Sequence, residues 1–302
     1  MKQESPNTHC GYVAIVGRPN VGKSTLLNHL VGQKISITSR KPQTTRHRML
    51  GIYTKDDLQV VFVDTPGLHL DEKRAINRLM NRAASSSLTD VDLVIFLVDA
   101  TIWNDDDAMV LEKIKHCKSP VIMLVNKVDK IIDKSSLLPH LDWLSKQYDF
   151  DAIYPASALK GTNIDELHKK IAQSMPSCEF IYPEDYVTDR SMRFLAAEAV
   201  REKLIRQLGN ELPYSMTVEI EKFETDAKGI KHISAVIFVE RDGQKRIVIG
   251  KGGSRLKLVG KDARIDLEKL YDCKVFLQLW VKVKDGWADD EKALKSLGFD
   301  EQ

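Results

Sequence analysis

Gly17-Arg18-Pro19-Asn20-Val21-Gly22-Lys23-Ser24 reads GxxxxGKS, and its two flanks decide the fold of the first half of the chain. Ahead of it, Tyr12-Val13-Ala14-Ile15-Val16 is a short apolar run rich in β-branched residues, the signature of a buried strand. Behind it, Thr25-Leu26-Leu27-Asn28-His29-Leu30 carries apolar residues at helical spacing. Strand, glycine loop and helix is the context in which this pattern cradles phosphates. The loop from Gly17 to Thr25 turns its N–H groups inward, and the helix adds its positive dipole end. Lys23 supplies a point charge for the terminal phosphates, and the Ser24 hydroxyl is placed for Mg²⁺.

Downstream, two strand-like runs, Met49 to Tyr53 and Leu58 to Val63, lead into Asp64-Thr65-Pro66-Gly67, a DxxG pattern. A carboxylate at the end of a buried strand can hold Mg²⁺ directly or through water, and Gly67 lets its backbone N–H approach a terminal phosphate. Farther on, the apolar run Val121 to Val125 ends in Asn126-Lys127-Val128-Asp129, or NKxD. The Asp129 carboxylate can accept two hydrogen bonds from N1–H and the exocyclic amine of guanine. Adenine offers no such donor pair, so the site should reject ATP. Asn126 can bridge strand and loop or touch the base, and the Lys127 stem can lie along the base. A tight turn at Ser157-Ala158-Leu159-Lys160 can offer the Ala158 N–H to the guanine O6. Helices are expected at 73–88, 105–115, 136–147 and 163–174. Their alternation with strands gives a mostly parallel sheet covered on both faces, with the nucleotide at its C-terminal edge.

The chain has 302 residues, enough for two domains. A 43% hydrophobic fraction allows a sizeable core, and the net charge of +2 implies no partner by itself. Cys10, Cys117, Cys178 and Cys273 form no CxxC pair, which argues against a zinc or dithiol site and fits a reducing cytosol. Residues 1–10 lack the apolar core of a signal peptide. The longest apolar run, around Leu93 to Val98, is far too short to span a membrane.

The ordered set GRPNVGKS, PQTTR (42–46), DTPG, NKVD and SALK resembles the translation-factor-related GTPases, within them the TrmE–Era–EngA group. That resemblance implies GTP and GDP as ligands, and Lys23, Thr45 and Gly67 as the residues that serve hydrolysis. It makes Thr45 the switch threonine that completes a Mg²⁺ set with Ser24 and Asp64, in preference to Thr44. Leu68 stands where other GTPases carry a water-positioning glutamine. Asn20 matches an asparagine that binds K⁺ in some relatives; a loop-bracing role fits it equally well.

After a Pro-containing linker at 176–190, the pattern changes. A helix at 191–208 precedes two alternating segments, 214–223 and 230–240, that read as an antiparallel pair. Arg246-Ile247-Val248-Ile249-Gly250-Lys251-Gly252-Gly253 then places a GxxG turn before a helix at 254–271 and a strand at 273–284. Between Arg241 and Lys261 there are seven Lys or Arg residues against Asp242 alone, a local +6. That concentration is an electrostatic footprint for a phosphate backbone. The order resembles an α+β KH domain of type II, in which the GxxG loop clamps a single-stranded backbone. Arg246, Ile249, Gly250, Lys251, Gly252, Gly253, Arg255 and Lys257 are the RNA-contact candidates.

The expected organisation is therefore a P-loop GTPase domain at 1–175 and a KH domain at 191–302, and together they resemble the Era GTPases along the whole chain. The resemblance implies a GTPase that assists small-subunit (30S-type) ribosome assembly by binding near the 3′ end of its ribosomal RNA. It also implies a cytoplasmic location with some peripheral association at the inner face of the cell membrane. The competing expectation is a nucleotide-gated RNA-binding module whose hydrolysis is incidental.

Overall fold

The computed structural model describes residues 8–39, 41, 44–67, 75–208, 216–287, 289 and 294. The chain divides into two units. The first is built on a six-stranded sheet in the order β2-β3-β1-β4-β5-β6. Its strands are β1 (His9–Val16), β2 (Met49–Lys55), β3 (Leu58–Asp64), β4 (Leu93–Asp99), β5 (Val121–Asn126) and β6 (Ala152–Pro155). Only β2, at the edge, runs antiparallel to its neighbour.

Every residue of β4 and β5 is buried, which explains their unbroken apolar runs. A parallel sheet covered on both faces leaves no side of a strand for water. The helices are α1 (Lys23–Val31), α2 (Ala75–Ser86), α3 (Asp105–Ile114), α4 (Leu137–Ser145) and α5 (Ile164–Ser174). α3 buries Val110, Leu111 and Ile114 against Val94, Phe96 and Val98 of β4 and Met123 of β5. Each such fully buried aliphatic side chain contributes roughly 1.5–3 kcal/mol. Asn104 starts α3 with a reciprocal capping box to Asp107.

Residues 176–189, read from sequence as part of a linker, are fastened to the first unit. Ile52 N donates to the Val187 carbonyl and Leu50 N to Asp189 Oδ1, both at 2.9 Å. The Gln59 side chain accepts from the N–H groups of Ile181 and Tyr182 and donates to the Tyr182 carbonyl. An edge strand leaves backbone donors and acceptors open, and this strap satisfies them.

The second unit contains α6 (Met192–Gln207), β7 (Met216–Thr225), β8 (Lys231–Val239), α7 (Asp242–Ile249), α8 (Ser254–Tyr271) and β9 (Val275–Val283). β7 and β8 are antiparallel; β9 pairs parallel to β8 after the α7–α8 crossover. Val200, Leu204, Ile233, Ile237, Val248, Val259 and Leu267 form part of its core.

The described residues of Ile37–Thr44 also belong to this unit. Ile37 joins its core. Glu202, fully buried on α6, accepts the Thr38 N–H at 2.9 Å and pairs with Arg206 at 2.9 Å. Arg206 also donates to the Thr38 carbonyl, Arg201 to the Thr44 carbonyl and Lys41 to the Leu208 carbonyl.

Candidate nucleotide site and GxxG surface

The end of β1, the start of α1 and the ends of β3 and β5 converge at the C-terminal edge of the first sheet. Register enforces this convergence: Ile15 pairs with Asp64 and with Ile95, and Asp99 pairs with Asn126. Lys23 is buried, and its Nζ donates to the carbonyls of Gly17 and Arg18 at 2.9 and 3.0 Å. Burial pushes its ammonium down to about 8, against the upward pull of the Asp64 carboxylate.

Ser24 Oγ lies 2.7 Å from Thr45 Oγ1 and donates to Asp64 Oδ2 at 3.0 Å. Of the two candidate threonines, Thr45 is the one at Ser24; Thr44 Oγ1 instead donates to the Lys41 carbonyl. Burial pushes the Asp64 carboxyl up, while Lys23 and the hydroxyls of Ser24 and Ser36 pull it down. Asp64 Oδ1 is buried and makes no hydrogen bond. Two hydroxyls around a carboxylate with one uncompensated oxygen form an oxygen donor set suited to Mg²⁺. Thr65 Oγ1 donates to the Ile15 carbonyl, and Thr65, Pro66 and Gly67 are buried. A Cβ on Gly67 would stand 2.8 Å from Pro19, so only glycine lets this turn reach the phosphate loop.

At the base end, Asn126 bridges strand and loop: Nδ2 donates to the Val21 carbonyl at 2.7 Å and Oδ1 accepts the Ala158 N–H at 2.9 Å. The Ala158 N–H, expected to face a base oxygen, is thus hydrogen-bonded within the protein, because a buried amide requires a partner. Ser157 Oγ donates to Asp129 Oδ1 at 2.6 Å and orients that exposed carboxylate. Val128 N bonds the Ala156 carbonyl. Lys127 Nζ contacts the Asn20 carbonyl at 2.5 Å and Asp99 Oδ2 at 2.8 Å. Asn20 itself is exposed with a left-handed backbone, φ 63°. Leu68, Pro42 and Gln43 lie outside the described residues.

Sequence reading missed several members of this site. Ser36 Oγ donates to Asp64 Oδ2 at 3.0 Å. The Asn28 amide accepts from the N–H groups of Ile35 and Ser36 and donates to the Ser36 carbonyl. Asn28, a polar residue inside the first helix pattern, was the one local hint.

In the second unit, α7 ends at Ile249 and α8 begins at Ser254. Gly250, Gly252 and Gly253 take φ of 73°, 58° and 77° between them. This left-handed run is available to glycine at low cost. Arg246, Lys251 and Lys257 are exposed, and Arg255 is half-buried with its guanidinium on the Ile247 carbonyl. Ile249, one of the RNA-contact candidates, is half-buried and packs partly against the core. Ile247 and Leu258 are the apolar side chains that face water here.

These geometries define a P-loop guanine-nucleotide-binding protein that carries a KH-fold unit. A family model described as "50S ribosome-binding GTPase" matches residues 12–127, and one described as "KH domain" matches 211–288. The chain belongs to the Era GTPases, enzymes that convert GTP to GDP and phosphate. It is 60% identical to GTPase Era of Ectopseudomonas mendocina, over 98% of this chain and 99% of that one. It is 59% identical to GTPase Era of Yersinia pestis, over 98% of each. Among solved structures, Era in complex with MgGDPNP and nucleotides 1506–1542 of 16S ribosomal RNA superposes with a TM-score of 0.94. Identity there is 41%, over 98% of this chain and all of the other. A point variant of Aquifex aeolicus Era bound to GDP.AlF4⁻ gives 0.93, also at 41% identity, over 97% of this chain and all of the other. No helix among the described residues is long and apolar enough to cross a membrane.

Proposed function

We propose that this GTPase is an assembly factor of the small ribosomal subunit that binds near the 3′ end of its ribosomal RNA through the GxxG surface. The observation that carries the reading is the likeness, over 98% of the chain, to an Era solved with both MgGDPNP and a 16S ribosomal RNA segment. The local +6 between Arg241 and Lys261 supports it independently.

In this reading Lys23 and the loop amides hold the phosphates, Asn126 and Asp129 select guanine, and Gly67 brings its N–H to the terminal phosphate. Ser24, Thr45 and Asp64 hold Mg²⁺, which supplies charge neutralisation at the phosphate oxygens. Asn20 holds a monovalent cation beside them. The protein acts in the cytoplasm, with a fraction peripherally associated with the inner membrane face; vesicle flotation tests the latter.

The test of the RNA assignment is the double variant Lys251→Asp/Gly252→Asp. A Cβ at Gly252 meets open space, and aspartate tolerates a left-handed backbone, so the turn can survive the change. Affinity for an RNA spanning nucleotides 1506–1542 should fall by roughly tenfold or more at fixed salt. GTP affinity should stay within about twofold of wild type, since the nucleotide loops are untouched. Unchanged RNA affinity would overturn the assignment. Repeating the titration with GDP and a non-hydrolysable GTP analogue measures coupling, which must be reciprocal between RNA and nucleotide.

A further inference from the structure

We propose that Asp99 and Asp107, which belong to none of the nucleotide motifs, are positioning residues that set how long guanine nucleotide stays bound. The two carboxylates alternate with two cations of the nucleotide loops. Lys127 Nζ stands 2.8 Å from Asp99 Oδ2, Arg18 NH2 3.9 Å from the same oxygen, and Arg18 Nε 2.9 Å from Asp107 Oδ2. Side-chain exposures along this row are 21%, 7%, 13% and 0%, so solvent screens the charges weakly. The row ties the base-reading loop, the phosphate loop and the first turn of α3 together. Lys127 Nζ is held by two acceptors at once, Asp99 Oδ2 and the Asn20 carbonyl. Arg18 is turned toward α3 while its carbonyl receives Lys23.

The oxygens of Asp99 divide two duties. Oδ1 accepts the N–H and hydroxyl of Thr101, which shape the turn after β4; Oδ2 serves Lys127 and Arg18. Asp107 Oδ2 serves both the α3 capping box and Arg18, while its buried Oδ1 makes no hydrogen bond. A purely structural Asp99 would need only the first duty.

Asp99→Asn separates them, because the amide oxygen can keep Thr101 while an amide donor replaces the acceptor at Lys127. The measurement is stopped-flow release of a fluorescent GDP analogue from the full chain, with the thermal midpoint of nucleotide-free protein alongside. Release should quicken by roughly tenfold in Asp99→Asn, the ratio equivalent to about 1.4 kcal/mol. It should stay near wild type in Thr101→Ala, which touches only the turn. In a Lys127→Met background, Asp99→Asn should add little, since its main client is gone. Asp107→Asn should quicken release in the same direction through Arg18 and serves if Asp99→Asn folds poorly. Wild-type release in both aspartate variants, or equal quickening in Thr101→Ala and Asp99→Asn, would overturn the inference. It rests on the guanine-nucleotide site described above: a wild-type chain that bound no GDP would refute that site first, whereas normal binding with unaltered release refutes this inference alone.

Discussion

Glu202→Ala should destabilise the second unit by about 3 kcal/mol. Glu202 is wholly buried, accepts the Thr38 N–H at 2.9 Å and Arg206 at 2.9 Å, and lies 3.7 Å from Lys203 Nζ. Removing the carboxylate leaves a half-buried backbone N–H without this acceptor, at about 1–3 kcal/mol. The Arg206 guanidinium is 47% exposed and can rehydrate, so its share is discounted to about 0.5 kcal/mol. Lost packing of the side-chain methylenes adds about 1 kcal/mol. The total meets the lower end of the cost of breaking a buried ion pair, about 3–5 kcal/mol. Glu202→Gln keeps an acceptor for Thr38 and should cost only about 1 kcal/mol. Native-state hydrogen exchange read by mass spectrometry reports the two units separately and includes the Thr38 amide. A loss below about 0.5 kcal/mol in Glu202→Ala, or equal losses in the two variants, would refute the acceptor role assigned to this carboxylate.

Asp129→Asn should weaken GTP by roughly 10²-fold, since hydrogen bonds to a charged group contribute about 1.5–3 kcal/mol. The same variant should admit xanthosine triphosphate, whose 2-oxo group accepts where guanine donates; competition binding with both nucleotides checks this. If Asn20 holds K⁺, turnover should be faster in potassium than in sodium, and Asn20→Ala should erase the difference; equal wild-type rates in the two salts remove the idea. Burial holds His168 below its ordinary value of 6.5, with nearby Asp165 opposing and His29 assisting. The unfolded chain therefore binds the proton more readily, so stability is steady above about pH 7 and falls as pH drops below about 6.5. Urea unfolding between pH 8 and 5.5 should show that slope, and His168→Gln should flatten it.

The GKS, DxxG and NKxD motifs were legible because each is local and ends a strand, β1, β3 or β5, whose burial leaves an apolar signature. GxxG was legible for a different reason, through glycines that its positive-φ turn between two helices favours. What escaped reading depends on partners far away in sequence. Nothing near Glu202 announces Thr38, and nothing near Asp99 announces Lys127 and Arg18. The stretch 33–48 has no single periodicity because its members serve different neighbours: Ser36 and Thr45 the carboxylate and Ser24, Ile37 and Thr38 the core and helix of the second unit. Residues 176–189 looked like a linker because a strap on an edge strand needs backbone groups rather than a side-chain pattern.

The second unit draws on Ile37–Thr44 and on Arg190–Gln302, two stretches separated by about 150 residues that belong mostly to the other unit. During synthesis at about 5–20 residues per second, the early stretch waits on the order of ten seconds or more before helix α6 exists to receive it. The first sheet can assemble in that interval, but the tether to Thr38 cannot. Completion of the second unit is therefore a late event of high sequence separation, and a nascent chain stalled before Glu202 would present Ile37 and Thr38 without their native partners.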